Sequence, residues 1–385
     1  MKKIMIGILI IVCFLSTGCY DYIELSDRAI ISGISIDYKN SEYEVVFEIL
    51  NPNSETGSSD KEKVFYAKGN ATNMTEAFNN ASLNIAKKPY FAHLKVLVLS
   101  EEIGENHIAT IRDYFLRATI FPNNFYVVLA KDKTAKEILK FSIESEPIVG
   151  ETLINLIDNN QYFQTVAQKV KLEDFIVSTL DKRKTAYLPV VTVENEKLAI
   201  TGIGIFNEGK LKTLFKEQEA SALTLLQNEN KNYIMTNQCN LDETLVTIKE
   251  KEDTSIKKET KNKETVNKYT GFNITKSKTK INVMEKNKVK ININLNASLV
   301  QNDCNYDLHK MDTYEYLENL LKQQLQQELE AFFKLCQEND VDLIGFQKLY
   351  YNKYRIYPSD WKQIEIEYDI TVTLSKTGIT YEVEE

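Results

Sequence analysis

KVKININLNASL, residues 288–299, sets Val289, Ile291, Ile293, Leu295 and Leu299 at even spacings with Lys, Asn or Ser between them, the period of a half-buried β-strand. Ile281 and Val283 carry the same alternation just before it, so two adjacent antiparallel strands are expected. DTYEYLENLLKQQLQQELEAFFKLC, residues 312–336, then changes the period. Leu317, Leu321, Leu325, Leu329, Phe332 and Cys336 fall on one stripe at helical spacing, and Asp312 with Glu315 reads as a capping-box-like start. A helix of that length must bury its stripe, and the sheet beside it is the nearest apolar face. A shorter helix over residues 346–354 stops before Pro358, and the stretches 364–374 and 379–383 read as closing strands. The C-terminal domain is thus expected to be an antiparallel sheet packed on one long helix.

Upstream the pattern alternates between the two periods. Ile30, Ile34 and Ile36, with Ser32 and Ser35 between them, read as a strand interrupted by Gly33, and residues 43–50 read as its neighbour. A polar turn-forming stretch (51–60) leads to a third strand near 64–67. A helix over about 73–87 follows, with Met74, Ala77, Phe78, Ala81 and Ile85 on one face, ending before Pro89. Residues 90–99 read as a buried strand; Ile108, Ile111 and Phe115 mark a helix; residues 125–130 are the next strand. Three short helical patterns between Thr134 and Leu180 suggest a helical subdomain. Residues 187–193 read as a strand, and 198–206 with 211–215 as a hairpin turning at Asn207, Glu208 and Gly209. The stretch 249–268, rich in Lys and Glu, reads as a solvated hairpin or loop, with a charged interaction arm as the alternative. The expected fold class is α+β: a three-domain chain of mixed sheets with packed helices. The expected division is a signal segment over 1–18, an N-terminal α/β region over 19–197 with the helical subdomain near 134–180, and a C-terminal sheet-plus-long-helix domain over 198–385.

Lys2 and Lys3 precede an unbroken apolar run from Ile4 to Leu15, and Ser16, Thr17 and Gly18 lead to Cys19. This is the pattern of a signal peptide ending in a lipobox. The run is too short to span a bilayer, which takes about 20 residues. Cys19 is therefore the expected lipid-attachment residue. One acyl chain holds only marginally, whereas the two chains of a diacylglyceryl thioether give stable anchoring at about 0.8 kcal/mol per buried methylene. The formal net charge of −8 becomes more negative once Lys2 and Lys3 are removed, so lipid rather than overall charge must hold the protein on an anionic leaflet.

The same charge balance argues against nucleic acid as a partner. Hydrophobic residues at 43% and charged residues at 26% describe folded globular domains rather than a disordered or polytopic chain. Beyond Cys13 and Cys19 there are three cysteines, Cys239, Cys304 and Cys336, an odd number at wide spacing, so they read as buried small hydrophobes or stray thiols. The three histidines, His93, His107 and His309, form no metal-spaced cluster. Gly202 and Gly204 lack the third glycine of a dinucleotide loop, and the adjacent Glu101 and Glu102 point apart as solvated surface. No catalytic residue, metal or cofactor is expected, and an enzyme is the minority reading.

Gly18-Cys19-Tyr20-Asp21, with Glu24, Asp27, Ala29, Gly33, Ile34 and Asp37, resembles the start of the Ger(x)C family, the C subunits of spore germinant receptors; Tyr20 stands where members usually carry Trp. Further matches are Tyr90 to His93 running into residues 95–99 with Glu101-Glu102, then 130–139, Leu188-Pro189, 202–206 with Lys210-Leu211 and Glu219. In the second half they are 276–281, the long helix, 340–346, Tyr357-Pro358 and Trp361. The resemblance covers nearly the whole chain in order. It implies a non-catalytic three-domain ectodomain on the outer face of the spore's inner membrane. That ectodomain would assemble with a membrane-embedded A subunit and a transporter-like B subunit and trigger germination in response to nutrients. His93 carries a motif match, for which a buried or capping role in a strand is preferred. The alternative is a solute-binding surface lipoprotein that delivers a small nutrient to a transporter, which needs a cleft between two similar lobes.

Overall fold

The computed structural model describes residues 24–51, 63–141, 146–163, 166–181, 185–228, 232–239, 268–285, 287–356, 358 and 360–375. The signal segment, Cys19, the charged stretch 249–267 and the strand expected at 379–383 lie outside them.

Among the described residues nine strands build the first sheet: β1 (Arg28–Lys39), β2 (Glu42–Leu50), β3 (Val64–Ala71), β4 (Lys88–Tyr90), β5 (Val96–Leu99), β6 (Tyr126–Ala130), β7 (Ala186–Glu194), β8 (Lys197–Asn207) and β9 (Lys210–Lys216). Their order is β3-β2-β1-β5-β6-β7-β8-β9, with β4 beside the start of β1. The centre, β1-β5-β6-β7, is parallel, and antiparallel strands flank it on both sides. Parallel strands need helical crossovers, which cover both faces of the sheet. The central strands accordingly read as continuous apolar runs: all four residues of β5 are buried.

Helices α1 (Met74–Leu83), α2 (Glu101–Asn106), α3 (Ile108–Arg117) and α6 (Leu172–Leu180) pack on one face. Helices α4 (Ala135–Leu139), α5 (Val149–Phe163) and α7 (Glu217–Leu226) pack on the other. The three helices between 134 and 180 therefore form no separate subdomain. All three lie in the one connection from β6 to β7, which covers one face of the sheet with α4 and α5 and then passes to the other with α6. Residues 90–99 are also not one strand: Phe91 to Lys95 form a turn between β4 and β5. The β8–β9 hairpin turns as expected, with Glu208 and Gly209 both at positive φ.

The second sheet has the order β10 (Tyr233–Gln238), β11 (Tyr269–Glu285), β12 (Lys288–Asn302) and β13 (Glu365–Ser375). Helix α8 (Met311–Glu338) lays its stripe on it, with Leu317, Leu321, Leu325, Leu329, Phe332 and Cys336 all buried. Its N-cap is Lys310 with no side-chain cap, so Asp312 lies inside the first turn and the capping box does not form. β10, β11 and β12 pair antiparallel, but β13 adds in parallel to β12. The sheet expected to be antiparallel is therefore mixed at its last strand. The helical excursion through α8 and α9 (Phe346–Tyr354) returns the chain in the direction it left.

The division near residue 197 falls at the first residue of β8, inside the first sheet, which runs on through Lys216. The two sheets share one buried cluster that extends from Val96 and Val128 to Phe332, and the Phe215 and Phe332 rings lie 6.1 Å apart across the junction.

Cys239 and Cys304 form a disulfide with Cα atoms 5.6 Å apart, which corrects their reading as independent thiols or small hydrophobes. β10 and β12 both flank β11, so the end of each reaches the start of β11. The Cys239 amide donates to Lys268 O, and the Asp303 amide to Tyr269 O. Sequence spacing hides a pair that only strand register creates. Cys336 remains a buried thiol, which burial pushes well above the ordinary thiol range.

Candidate functional site

Three buried carboxylates organise the molecule. Asp37, at the end of β1, accepts from the amides of Ala135 at 2.8 Å and Lys136 at 2.9 Å, the first residues of α4. Glu48, fully buried in β2, accepts from Val149 N on one oxygen at 2.7 Å and from Gly150 N on the other at 2.9 Å, at the start of α5. Ser32 Oγ also donates to it at 2.7 Å. Asp342 accepts from the amides of Gly345, Phe346 and Gln347 at 2.9, 2.8 and 2.9 Å, which caps α9. Each carboxylate meets amides that a helix leaves unpaired, where its negative charge is favoured. Burial raises all three above the ordinary carboxylate range, and the amide bonds hold part of that rise back.

The arrangement brings together residues far apart in sequence. Gly33 faces Leu139 and Glu48: a Cβ there would lie 2.6 Å from Leu139 Cδ1 and 3.2 Å from a Glu48 oxygen. The motif around Gly33 and Asp37 thus meets the motif at 130–139 twice, at Gly33 against Leu139 and through the Asp37 carboxylate on the Ala135 and Lys136 amides. The motif at 340–346 similarly forms the seam between the sheets. Asn207 Nδ2 donates to Asp340 O at 3.4 Å, Trp361 Nε1 donates to Asp340 Oδ1 at 3.3 Å, and Lys362 Nζ lies 3.5 Å from the same oxygen. Two clefts flank this seam. One of ≈ 460 Å³ is lined by Asp181, Asn207, Glu208, Asp340 and Trp361 among others; one of ≈ 670 Å³ is lined by Tyr187, Gln227, Asn228, Lys280 and Lys348 among others.

General acid or base chemistry needs a titrating group within reach of substrate. The oxygens of Asp37, Glu48 and Asp342 are instead committed to backbone amides and shut off from solvent. His93, expected to be buried or capping in a strand, is exposed in the turn before β5, with its ring 5.9 Å from that of Tyr90. His107 lies between helices α2 and α3, its ring 3.9 Å from that of Tyr38 and its Nδ1 2.9 Å from the Tyr43 hydroxyl, and burial lowers its pKa. Among the described residues no group of three or more His, Cys, Asp or Glu is placed to hold a metal ion, and no helix is long and apolar enough to cross a membrane. Glu48 was not among the residues that sequence reading singled out. Its signal was a lone acid in the apolar run Val45-Val46-Phe47-Glu48-Ile49-Leu50, which requires a buried partner.

An α+β chain of this topology, with a parallel-centred first sheet and a helix-backed second sheet, matches a spore germination protein in both halves. The family model described as "Spore germination protein N-terminal domain" matches residues 21–193, and that described as "Spore germination B3/ GerAC like, C-terminal" matches residues 201–384. The chain belongs to this GerAC-like spore germination family. Among curated relatives it is 24% identical to spore germination protein KC of Bacillus subtilis (strain 168), over 91% of this chain and 87% of that protein. It is 28% identical to spore germination protein A3 of the same organism, over 53% of this chain and 55% of that protein. The crystal structure of the GerBC protein superposes with a TM-score of 0.54 at 18% identity, covering 89% of this chain and 96% of that one, which establishes a common fold.

Proposed function

We propose that this protein is the lipid-anchored C subunit of a spore nutrient germinant receptor. It would sit on the outer face of the spore's inner membrane through a diacylglyceryl group on Cys19 and assemble with membrane-embedded A and B subunits. The observation that carries the reading is the chain-long match in order: both family halves, and a germination protein similar over 91% of this chain. A non-catalytic role agrees with buried carboxylates whose oxygens are all used to hold helices. The two sheets differ in topology, so the seam clefts do not lie between the similar lobes that a solute-binding lipoprotein would need.

The test is deletion of the gene followed by germination in single nutrients, together with a Cys19→Ala variant. Loss of response to one nutrient class on deletion, and a strong reduction with Cys19→Ala, are expected. Unchanged germination in the deletion strain overturns the receptor role. Normal germination with Cys19→Ala overturns the anchor.

A further inference from the structure

β1, β4, β5 and β6 all begin at the same end of the first sheet, because they run parallel. α1 and α3 run back toward that end before β4 and β6 begin, so the C-terminal ends of both helices and the loops that follow them lie there. The chain also enters the fold there. Glu24 stands just before β1, and five residue steps from Cys19 span at most about 18 Å.

The composition of this end is unlike that of the whole chain. With 55 acidic residues in 385, long stretches without one are not expected, yet residues 77–100 and 114–131 contain no Asp or Glu. These stretches supply Lys87, Lys88, His93, Lys95 and Arg117 to this end, and the Arg28 guanidinium stacks over Tyr90 at 4.4 Å. The opposite end carries both signs, Glu42, Glu44, Glu101, Glu102, Glu105 and Asp132 together with Lys39, Lys131, Lys133 and Lys136. Carboxylates do occur at the first end, as Glu24 and Asp27, so charge alone does not define it.

The apolar side chains do. Leu83 at the end of α1 is 73% exposed, Leu116 near the end of α3 is 64% exposed, and Ile120 in the loop beyond is 60% exposed. Below them Phe121 packs at 4.8 Å from Phe91, 4.7 Å from Phe115 and 5.6 Å from Phe78, so the loop bearing Ile120 is pinned to the core by aromatic contacts. Rigidly presented aliphatic side chains, flanked by cationic ones and close to an anchoring point, are what an interfacial membrane contact uses.

We infer that this end of the fold is a membrane-contact face, which lays Leu83, Leu116 and Ile120 into the interfacial layer of the bilayer that holds the anchor. The inference rests on the Cys19 reading for the direction in which the end faces. It adds that the ectodomain lies against the lipid in one orientation rather than swinging on a tether, with the opposite end of the sheet pointing away.

The test uses the full chain produced in a bacterium able to lipidate it and reconstituted into vesicles of phosphatidylcholine and phosphatidylglycerol that carry bromine on the acyl chains. An added tryptophan in I120W is compared with one in K133W, at the opposite end, against the background of the native Trp361. Loss of about half of the added emission in I120W, with none in K133W, is expected for a side chain buried at the headgroup boundary. No quenching at either position, or equal quenching at both, overturns the inference. Protection of the I120W tryptophan only after receptor membrane subunits are added also overturns it, because the occupant is then protein. The mass of the Cys19 peptide tests the anchor separately. An acylated chain with unquenched I120W leaves the anchor standing and removes the contact face, whereas an unacylated chain removes the anchor while quenching still decides the face.

Discussion

Ser32 of β1 and Glu48 of β2 are joined inside the protein, the Ser32 hydroxyl donating to Glu48 Oε2 at 2.7 Å while the same carboxylate receives the first amides of α5. One side chain thereby ties two strands and a helix from 101 residues downstream into a single unit.

Glu48→Ala strands the Val149 and Gly150 amides and the Ser32 hydroxyl in a buried site. Each lost bond to a charged acceptor costs about 1.5–3 kcal/mol, so the loss should exceed about 3 kcal/mol in urea unfolding. A cost below that of an ordinary surface substitution would show that the link is dispensable.

Glu48 also gives stability a pH dependence of known sign. Burial raises its folded-state pKa above 4.5, with Ser32, Gly150 and Val149 opposing. The folded protein therefore keeps the proton to higher pH than the unfolded chain. Its contribution is fully present below the unfolded value and declines as pH rises through the raised folded value. Relative to Glu48→Gln, which stays neutral, wild type should lose ground as pH rises from about 4 to 7; a difference that moves the other way refutes the assignment.

Glu44 runs in the opposite direction. Partial burial would raise its pKa, but Lys68 and Lys136, the latter at 3.1 Å, outweigh it and hold the carboxyl below its ordinary 4.5. Its contribution is present above the unfolded value and is lost as pH falls through the lowered one. Glu44→Gln should cost at most about 1 kcal/mol near neutral pH, an effect that shrinks with added salt. Salt-independent loss would show that packing rather than charge is involved.

Reduction of the Cys239–Cys304 bond frees a loop of sequence separation 65, which chain entropy values at about 4 kcal/mol. Melting with and without reductant should differ for wild type and coincide for the Cys239→Ala/Cys304→Ala double variant. Coincident wild-type curves would mean that the bond contributes nothing.

Gly69→Ala should be far more damaging than Gly33→Ala. A Cβ at Gly69 would lie 2.1 Å from Ala81 N and 2.2 Å from Ala77 O, backbone atoms of α1 that cannot yield without moving the helix. At Gly33 the nearest atom is the end of the Leu139 side chain, which can turn aside at about 1–3 kcal/mol. Comparable melting temperatures for the two variants would contradict this packing.

Where periodicity set the answer, the sequence was legible. The stripe on α8 and the alternation in β12 each bury one face of a regular element, so the side chains that must leave water announce the element that hides them. The same held for the Glu208-Gly209 turn, where backbone geometry selects residue type. The family motifs at 33–37, 130–139 and 340–346 could be quoted without their purpose. Only the fold shows that the first two meet at Gly33 and Leu139, and that the third carries Asp342 onto the start of α9.

The sequence by itself determined the α+β class, the long helix on its sheet and the family. Local period, short motifs and their order along the chain carry that information. Tertiary structure alone decided that Cys239 pairs with Cys304, that β13 joins β12 in parallel, that the helices between 134 and 180 part to opposite faces, and that His93 stays at the surface. It also left Leu83, Leu116 and Ile120 exposed. Each of these depends on register and strand direction between distant segments, which hydrophobic pattern constrains only through which face is buried, not through which partner lies beside it.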